Sequence, residues 1–298
     1  MASVHPAGSA GPPSGADAAT AEAWSLFWAA QGPRSRCLAR SPELCRLLDG
    51  HWHSFAPTVW PTITILDVGC GAGAVGRALH VAEPRLQVIG IDVAQVPGSL
   101  NPRLQMLSGI SMESLPFPDA SLGAAVSQFG FEYGNAEAAA DELARVLVRG
   151  SPLSLLIHHP EGPIVDDMRR HRRAIEGLCG LRIQAAFFSG NSIALAEHIA
   201  ALKAKCSNDS IVEQTARGLS SHITRDEPQR LRLWRAIIEA LEPELVMLES
   251  LGLCSTVDQS IDTFAKPLGR SFDLHPVRIL ETRLGDPFAW IIEGRRRG

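Results

Sequence analysis

Short apolar runs alternate with amphipathic segments through the first half of the chain. The apolar runs cover residues 62–68, 86–92, 103–107, 121–129 and 152–158, and the first of them is rich in β-branched residues. Between them, apolar positions recur every three or four residues, which predicts helices. Strands that alternate with helices at this spacing predict an α/β fold with a doubly wound, Rossmann-like parallel sheet.

The second half of the chain has a different pattern. A helical period dominates residues 161–255, with stripes such as Leu195, Ile199 and Leu202. Two strand-like runs follow, DLHPVRILETRL and FAWIIEGRR, joined by a Gly-Asp-Pro turn that is typical of a hairpin. Five parallel strands and this antiparallel hairpin predict a seven-stranded sheet that contains an inserted helical cap.

These patterns divide the chain into five predicted parts. The first 20 residues are rich in Ala, Gly, Pro and Ser and lack the features of a secretory signal, so we expect a disordered tail. The parts are the tail (1–20), N-terminal helices that form a lid (21–60), a cofactor-binding core (61–160), the helical cap (161–255) and a final helix with the hairpin (256–298).

Composition restricts the partners of this protein. The 298 residues carry a net charge of -4, and this balance argues against a basic nucleic-acid surface. No apolar run reaches the length of a membrane span, so we expect no membrane-spanning helix. Six scattered cysteines without a C-x-x-C pair indicate reduced thiols in a cytoplasmic protein, and no spacing indicates a metal site. The oligomeric state stays open.

The stretch ILDVGCGAGAVGRAL, residues 65–79, contains two overlapping glycine patterns. Gly69, Gly71 and Gly73 form D-x-G-x-G-x-G, which suggests a nucleoside cofactor without phosphates. Gly71, Gly73 and Gly76 form G-x-G-x-x-G, which suggests a dinucleotide. Asp67 at the strand end would repel a pyrophosphate and attract a cationic amino-acid tail. Asp92 ends the next strand and suits ribose hydroxyls. The acids therefore favour the first pattern.

Several stretches in the same order resemble class I S-adenosylmethionine-dependent methyltransferases. They are the glycine stretch, VIGIDVA, MESLPFPDASLGAAVSQFGFEY and LARVLVRGSPLSLLIHH. The third is similar to the small-molecule subgroup that includes ubiquinone/menaquinone C-methyltransferases. The resemblance covers about 61–160 and 256–295 and implies S-adenosyl-L-methionine as cofactor. By position it implies a cofactor site formed by Asp67, Gly69, Cys70, Gly71, Gly73, Asp92, Val93, Ser111, Met112, Gln128 and Phe129.

One of these residues, Ser111, departs from the family pattern. Relatives often have an Asp at the position of Ser111, where it accepts from the adenine amino group. A hydroxyl is a weaker acceptor than a carboxylate, so we expect lower cofactor affinity. Cys70 lies inside the glycine turn, and we interpret it as a small buried residue and not as a nucleophile.

The substrate should lie beyond the carboxyl ends of the strands. His158 and His159 end the fifth strand, and a His is suited to act as a base near neutral pH. Strand alternation points the two rings in opposite directions, so at most one of them is the catalytic base. A structural role is the alternative for both. Further substrate candidates are Trp24, Trp28, Glu132 and Tyr133, with Arg34 and Arg36 as contacts for an anionic group.

The sequence thus predicts an S-adenosylmethionine-dependent methyltransferase that acts on a small-molecule acceptor by in-line displacement. Two alternatives remain: a non-catalytic S-adenosylmethionine-binding partner or regulatory protein, and an NAD(P)-dependent oxidoreductase that uses the dinucleotide pattern. The acceptor and the methylated atom do not follow from the sequence.

Overall fold

A computed structural model describes residues 15–32, 41–60, 63–206, 209–254 and 260–298. These residues divide into two compact units, one formed by Met1–Val165 with Leu253–Gly298 and the other by Asp166–Gly252. In the first unit the helices are α1 (Gly15–Gln31), α2 (Pro42–Phe55), α3 (Ala74–Ala82), α4 (Ala136–Val146) and α10 (Asp262–Gly269). Four of the described helices begin in the second unit. They are α6 (Leu181–Phe188), α7 (Ser192–Lys205), α8 (Ser210–His222) and α9 (Glu227–Cys254).

An eight-stranded mixed sheet forms the centre of the first unit. Its strands are β1 (Thr64–Val68), β2 (Gln87–Asp92), β3 (Leu104–Ser108), β4 (Ala124–Gln128), β5 (Pro152–His158), β6 (Phe272–Leu274), β7 (Arg278–Glu281) and β8 (Pro287–Arg296). The order is β3-β2-β1-β4-β5-β8-β6, and β7 also pairs with β8. The first five strands are parallel, whereas β8 runs antiparallel to β5, β6 and β7. The predicted doubly wound Rossmann-like sheet is confirmed.

The strand count differs from the prediction by one. The first arm of the expected hairpin is divided into β6 and β7, which both pair with β8. Pro276 lies between them and has no N–H group for the ladder, so the strand is interrupted there.

Buried apolar residues fix the helices on the sheet. One core cluster joins β-strand residues such as Leu66 and Leu155 to Leu143 of α4 and Phe264 of α10. Asn135 caps α4, because its side-chain oxygen accepts from the N–H groups of the second and third residues of the helix turn. Every residue of β5 is buried, which is typical of a central strand covered on both faces.

Helix α1 begins at Gly15, earlier than the predicted start of order at residue 21. The intervening segment is rich in alanine, the strongest helix former, so the helix extends into the predicted tail. Residues 1–14 lie outside the described residues.

The second unit is helical. Helix α5 (Pro163–Leu178) leads into it. On α5, His171 forms hydrogen bonds of 2.8 Å with both Asp209 and Glu244, so one imidazole ties together three segments of this unit. Burial lowers the pKa of His171, but the two carboxylates outweigh burial and raise it to about 8.

None of the helices in the described ranges has the length and apolar character that a bilayer span requires.

Candidate functional site

The turn after β1 has a backbone that glycine adopts most easily. Gly69, Gly71 and Gly73 have positive φ angles of 63°, 49° and 76°. Space is restricted as well, because a Cβ at Gly69 would lie 2.8 Å from the Cα of Gly130 after β4. A Cβ at Gly71 would lie 2.2 Å from Cζ2 of Trp28. The first glycine pattern therefore forms a tight, closely covered turn at the strand end.

The fourth glycine of the stretch has a different role. Gly76 lies inside α3, where a Cβ would lie 2.5 Å from a side-chain methyl group of Leu104 on β3. It allows the helix to pack closely on the sheet.

Asp67 is a fully buried carboxylate on β1. Its residue is 0% exposed, and neither carboxylate oxygen has a hydrogen-bond partner among the described residues. Burial, and to a smaller extent nearby Asp92, raise its pKa from 3.8 to about 8 against the opposing effect of Arg77. A buried acid without a partner is costly, so this position indicates a site for a ligand that supplies a donor or a positive charge.

Asp92 ends β2 and faces the same turn. Its Oδ2 accepts from the Gly71 N–H at 2.9 Å and its Oδ1 from the Ala94 N–H at 2.9 Å. Burial raises the pKa of Asp92, against the effect of these two hydrogen bonds. Val93 follows half-buried. The second predicted acid is thus placed beside the glycine turn by direct backbone contacts.

Cys70 points into the sheet. Its side chain lies where a Cβ at Gly90 would meet it at 2.8 Å, and burial raises the pKa of its thiol. A neutral, buried thiol is a poor nucleophile, which agrees with a packing role.

Ser111 and Met112 lie after β3, beside Glu113. The Ser111 hydroxyl donates to Oε2 of Glu113 at 2.6 Å and accepts from the Glu113 N–H at 3.2 Å. The other oxygen of Glu113 accepts from the Asn135 N–H. The sulfur of Met112 is close to Gly134, where an added Cβ would lie 2.7 Å away. Sequence reasoning did not identify Glu113. Its carboxylate lies two positions after Ser111, where relatives often have an Asp.

The end of β4 is held from two sides. Oε1 of Gln128 accepts from the indole Nε1–H of Trp52 on α2 at 2.8 Å. Phe129 has a positive φ of 58°, which is uncommon for a residue other than glycine, and its ring stacks on His158 at a centroid distance of 4.1 Å. Sequence reasoning missed Trp52, because nothing in its local sequence relates it to a strand 76 positions later.

His158 and Glu132 form a buried pair. Oε1 of Glu132 accepts from His158 Nδ1 at 2.8 Å and from the His158 backbone N–H at 3.1 Å. His158 is 1% exposed and Glu132 4%. The Nε2 of His158 and the Oε2 of Glu132 have no hydrogen-bond partner among the described residues. Since a carboxylate accepts, Nδ1 carries the proton and the lone pair of a neutral ring is on Nε2.

His159 is placed differently. Its Nδ1 accepts from the Glu161 N–H at 3.3 Å, and its ring lies against Trp290 of β8 at a centroid distance of 4.9 Å. Burial lowers its pKa, with Glu161 opposing. These contacts stabilise the turn after β5.

Helix α1 lies over the carboxyl ends of three strands. Ser25 Oγ accepts from the Gln95 N–H after β2 at 2.8 Å, Trp28 covers Gly71 after β1, and Trp24 contacts Tyr133 after β4 at a ring-centroid distance of 5.4 Å. Trp24 and Trp28 also stack on each other. Arg34 and Arg36 lie outside the described residues. In the described ranges, no three His, Cys, Asp or Glu side chains come together as a possible metal site.

Comparisons with known proteins agree with this arrangement. Residues 66–155 match the family model described as "Methyltransferase domain". This range begins in β1 and ends in β5, so it contains the glycine turn and both acids. No protein with a curated description matches the sequence.

Three solved structures illustrate the similarity. A putative S-adenosylmethionine-dependent methyltransferase from Listeria monocytogenes has 12% identity, covers 84% of this chain and 100% of its own, and has a TM-score of 0.43. Geranyl diphosphate C-methyltransferase from Streptomyces coelicolor A3(2) has 13% identity, coverages of 96% and 100%, and a TM-score of 0.42. The [4+2]-cyclase SpnF has 16% identity, coverages of 98% and 99%, and a TM-score of 0.46. At these values we infer nothing about the substrate from them.

The order of the motifs, the confirmed Rossmann-like sheet and the family match at its core lead to one conclusion. The chain carries a class I S-adenosylmethionine-dependent methyltransferase domain, and its cofactor is S-adenosyl-L-methionine.

Proposed function

We propose that this enzyme methylates a small-molecule acceptor and that His158 is its general base, held in position by Glu132. The observation that carries the proposal is the buried Glu132–His158 pair at the end of β5, with an Nε2 that has no partner among the described residues. The same arrangement, a carboxylate on one imidazole nitrogen and a reactive second nitrogen, orients the base in many hydrolases.

The cofactor residues are part of the same proposal. The unpartnered carboxylate of Asp67 suits the ammonium group of the methionine moiety, and the turn of Gly69, Gly71 and Gly73 allows close approach of the ligand. Asp92 suits the ribose hydroxyls, with Val93 beside it. For the adenine and the floor of the site we propose the remaining predicted residues, Ser111, Met112, Gln128 and Phe129.

The chemistry requires a base when the acceptor is an O–H or an acidic C–H group. The cofactor supplies an electrophilic methyl group on a sulfonium sulfur. Nε2 of His158 takes the proton of the acceptor and frees the electron pair to which the cofactor, when bound, would supply its methyl group, with the S–C electrons left on sulfur. Glu132 stabilises the imidazolium that forms. His159 is proposed as a structural residue, because its Nδ1 already accepts from the Glu161 N–H.

The aromatic residues of α1 suggest which class of acceptor the site accommodates. Trp24, Trp28 and Tyr133 form an apolar wall over the strand ends, and we propose that α1 is a lid that excludes water. An apolar wall at this place suits an apolar or aromatic small molecule and not a nucleic-acid duplex. Membership of the ubiquinone/menaquinone C-methyltransferase-like subgroup and a cytoplasmic location remain predictions.

A first experiment tests the cofactor and the two alternatives. Calorimetric titrations with S-adenosylmethionine, S-adenosylhomocysteine and NADH should give binding of the first two and none of NADH. Binding of NADH alone would overturn the assignment in favour of an oxidoreductase. Binding of S-adenosylmethionine without transfer to any compound of a small-molecule extract would favour a non-catalytic binding protein.

A second experiment tests the base. S-adenosylmethionine with a deuterated methyl group is incubated with fractions of a small-molecule extract, and labelled products are found by mass spectrometry. His158→Gln should lower the turnover of any such product by about 10²-fold or more and remove the histidine limb of the pH profile. Its affinity for S-adenosylhomocysteine should be unchanged. His159→Gln is the matched control and should keep turnover. Wild-type turnover in His158→Gln between about pH 6 and pH 9 would refute the base.

Glu132→Gln separates positioning from proton transfer. The amide oxygen still accepts from Nδ1, but the negative charge that stabilises the imidazolium is lost, so we expect a drop in turnover of about tenfold with the acceptor KM unchanged. An equal effect on kcat and on KM would contradict a positioning role.

A further inference from the structure

A cavity of about 530 Å³ lies on the first unit, and its lining contains none of the residues proposed for the methyltransferase site. It is lined by α2, by the start of β5 and by β7 and β8. Pro152 of the lining begins β5, about 20 Å from His158 at the end of the strand at about 3.3 Å per residue, and the lining extends from there along β8 and β7. Its volume is that of a small-molecule site.

Positive charge dominates the polar part of this lining. Arg46, Arg278 and Arg295 contribute guanidinium groups, and Glu293 contributes one carboxylate. Glu293 is already satisfied, because Oε2 accepts from Arg278 at 2.6 Å and Oε1 from Ser154 at 3.2 Å. Among the described residues, no carboxylate lies within 4.0 Å of the guanidinium of Arg46 or Arg295. Arg295 Nη1 donates to the Gly150 carbonyl at 2.9 Å, which does not neutralise its charge, so two permanent positive charges remain without a carboxylate among the described residues.

His51 does not add to this charge. Burial lowers its pKa to about 4, against the opposing effect of Glu293, so the ring is neutral at physiological pH. Its Nε2 lies 2.9 Å from Ser154 Oγ, and because the serine proton goes to Glu293, Nε2–H donates to the serine. This chain of hydrogen bonds holds the Glu293 carboxylate in position.

The remainder of the lining is apolar and includes Leu47, Leu280 and Ile291. Together, these features describe a cavity with a cationic end and an apolar end. We propose that it is a second binding site, for a small amphiphilic anion: a carboxylate or a phosphate monoester on an apolar body. The head group would contact Arg46 and Arg295, and the body would lie against the aliphatic side chains. This proposal does not depend on the function of the site at the strand ends.

Calorimetry with octanoate, octyl phosphate, 1-octanol and octylammonium tests the proposal on the full chain. We expect at least one of the two anions to bind with a Kd of about 1 mM or tighter. The neutral and cationic probes should bind at least about tenfold more weakly, because they cannot form the charge-assisted hydrogen bonds with the guanidinium groups. The stronger of the two anions then identifies the head group. Absence of binding by both anions, or equal binding of 1-octanol, would overturn the proposal.

Variants locate the site. Arg46→Gln should weaken anion binding about tenfold, and Arg46→Lys, which retains the charge, should weaken it less. Arg103 directly precedes β3 at the opposite edge of the sheet, and Arg103→Gln should have no effect. All variants should bind S-adenosylhomocysteine like the wild type, which shows that they are folded. Wild-type anion affinity in Arg46→Gln would refute the assignment to this cavity.

Discussion

Asp67 makes the cofactor-free protein less stable as the pH rises. Its pKa is raised from an ordinary value of 3.8 to about 8, so the folded state holds a proton that the unfolded chain releases above about pH 4. Below 3.8 both states are protonated and the residue costs nothing, whereas above about 8 both are ionised and the full cost of a buried charge is present.

The size of this cost follows from the two pKa values. At about 1.36 kcal/mol per pKa unit, the penalty is about 1.5 kcal/mol at about pH 5 and about 5.5 kcal/mol at about pH 8.5. Asp67→Asn removes the titration, so the stability difference between variant and wild type should grow by about 4 kcal/mol between these two conditions. The same variant loses the charge that suits the cofactor ammonium group, and its affinity for S-adenosylmethionine should fall about tenfold or more.

Urea unfolding of cofactor-free protein, followed by circular dichroism at both pH values, measures this difference. Asp141→Asn is the matched control, because Asp141 is exposed on α4; it should show no growing difference. If the difference between Asp67→Asn and wild type changes by less than about 1 kcal/mol between the two conditions, the raised pKa of this carboxyl is refuted.

Three further substitutions follow from the contacts of the turn, the floor and the second unit. Gly71→Ala should lower the free energy of unfolding by about 1–3 kcal/mol in a denaturation experiment and weaken cofactor binding, because the added Cβ meets the indole of Trp28. The control Gly109→Ala also has a positive φ but nothing within 4 Å of the added Cβ, so it should lower the free energy of unfolding by only about 1 kcal/mol. Trp52→Phe removes the donor to Gln128 and should weaken cofactor affinity about fivefold in calorimetry, and an unchanged affinity would contradict a role of this contact in the floor. His171→Gln should destabilise the chain by about 1 kcal/mol below about pH 6.5, and this effect should disappear as the pH rises through about 8. A loss of stability that is independent of pH would contradict a protonated His171 between Asp209 and Glu244.

Local sequence patterns were sufficient for the sheet and the glycine turn. Buried strands such as β5 are continuous apolar runs, and the turn after β1 requires positive φ angles that few residues except glycine adopt, so both leave a strong local signal. The break between β6 and β7 was detectable in principle from Pro276, but the alternating pattern on each side of it concealed the interruption.

Contacts between distant residues could not be predicted in this way. The alternation of side chains on β5 separated the directions of His158 and His159, but it did not show which of them meets Glu132, because that depends on the path of the loop after β4. The contact of Trp52 with Gln128 likewise depends on how α2 packs on the sheet. The cavity beside β8 has no local signal, since it forms only when three separate segments meet.

The position of Trp28 over Gly71 has a kinetic consequence. A ligand that approaches this glycine closely has to displace the indole, and therefore competes with the packing of α1 on the strand ends. The observed association rate of the cofactor would then level off at high concentration, at the rate at which α1 leaves the turn. Its apparent dissociation constant would exceed the intrinsic one by the inverse of the open fraction, so the first helix sets how much cofactor the enzyme requires.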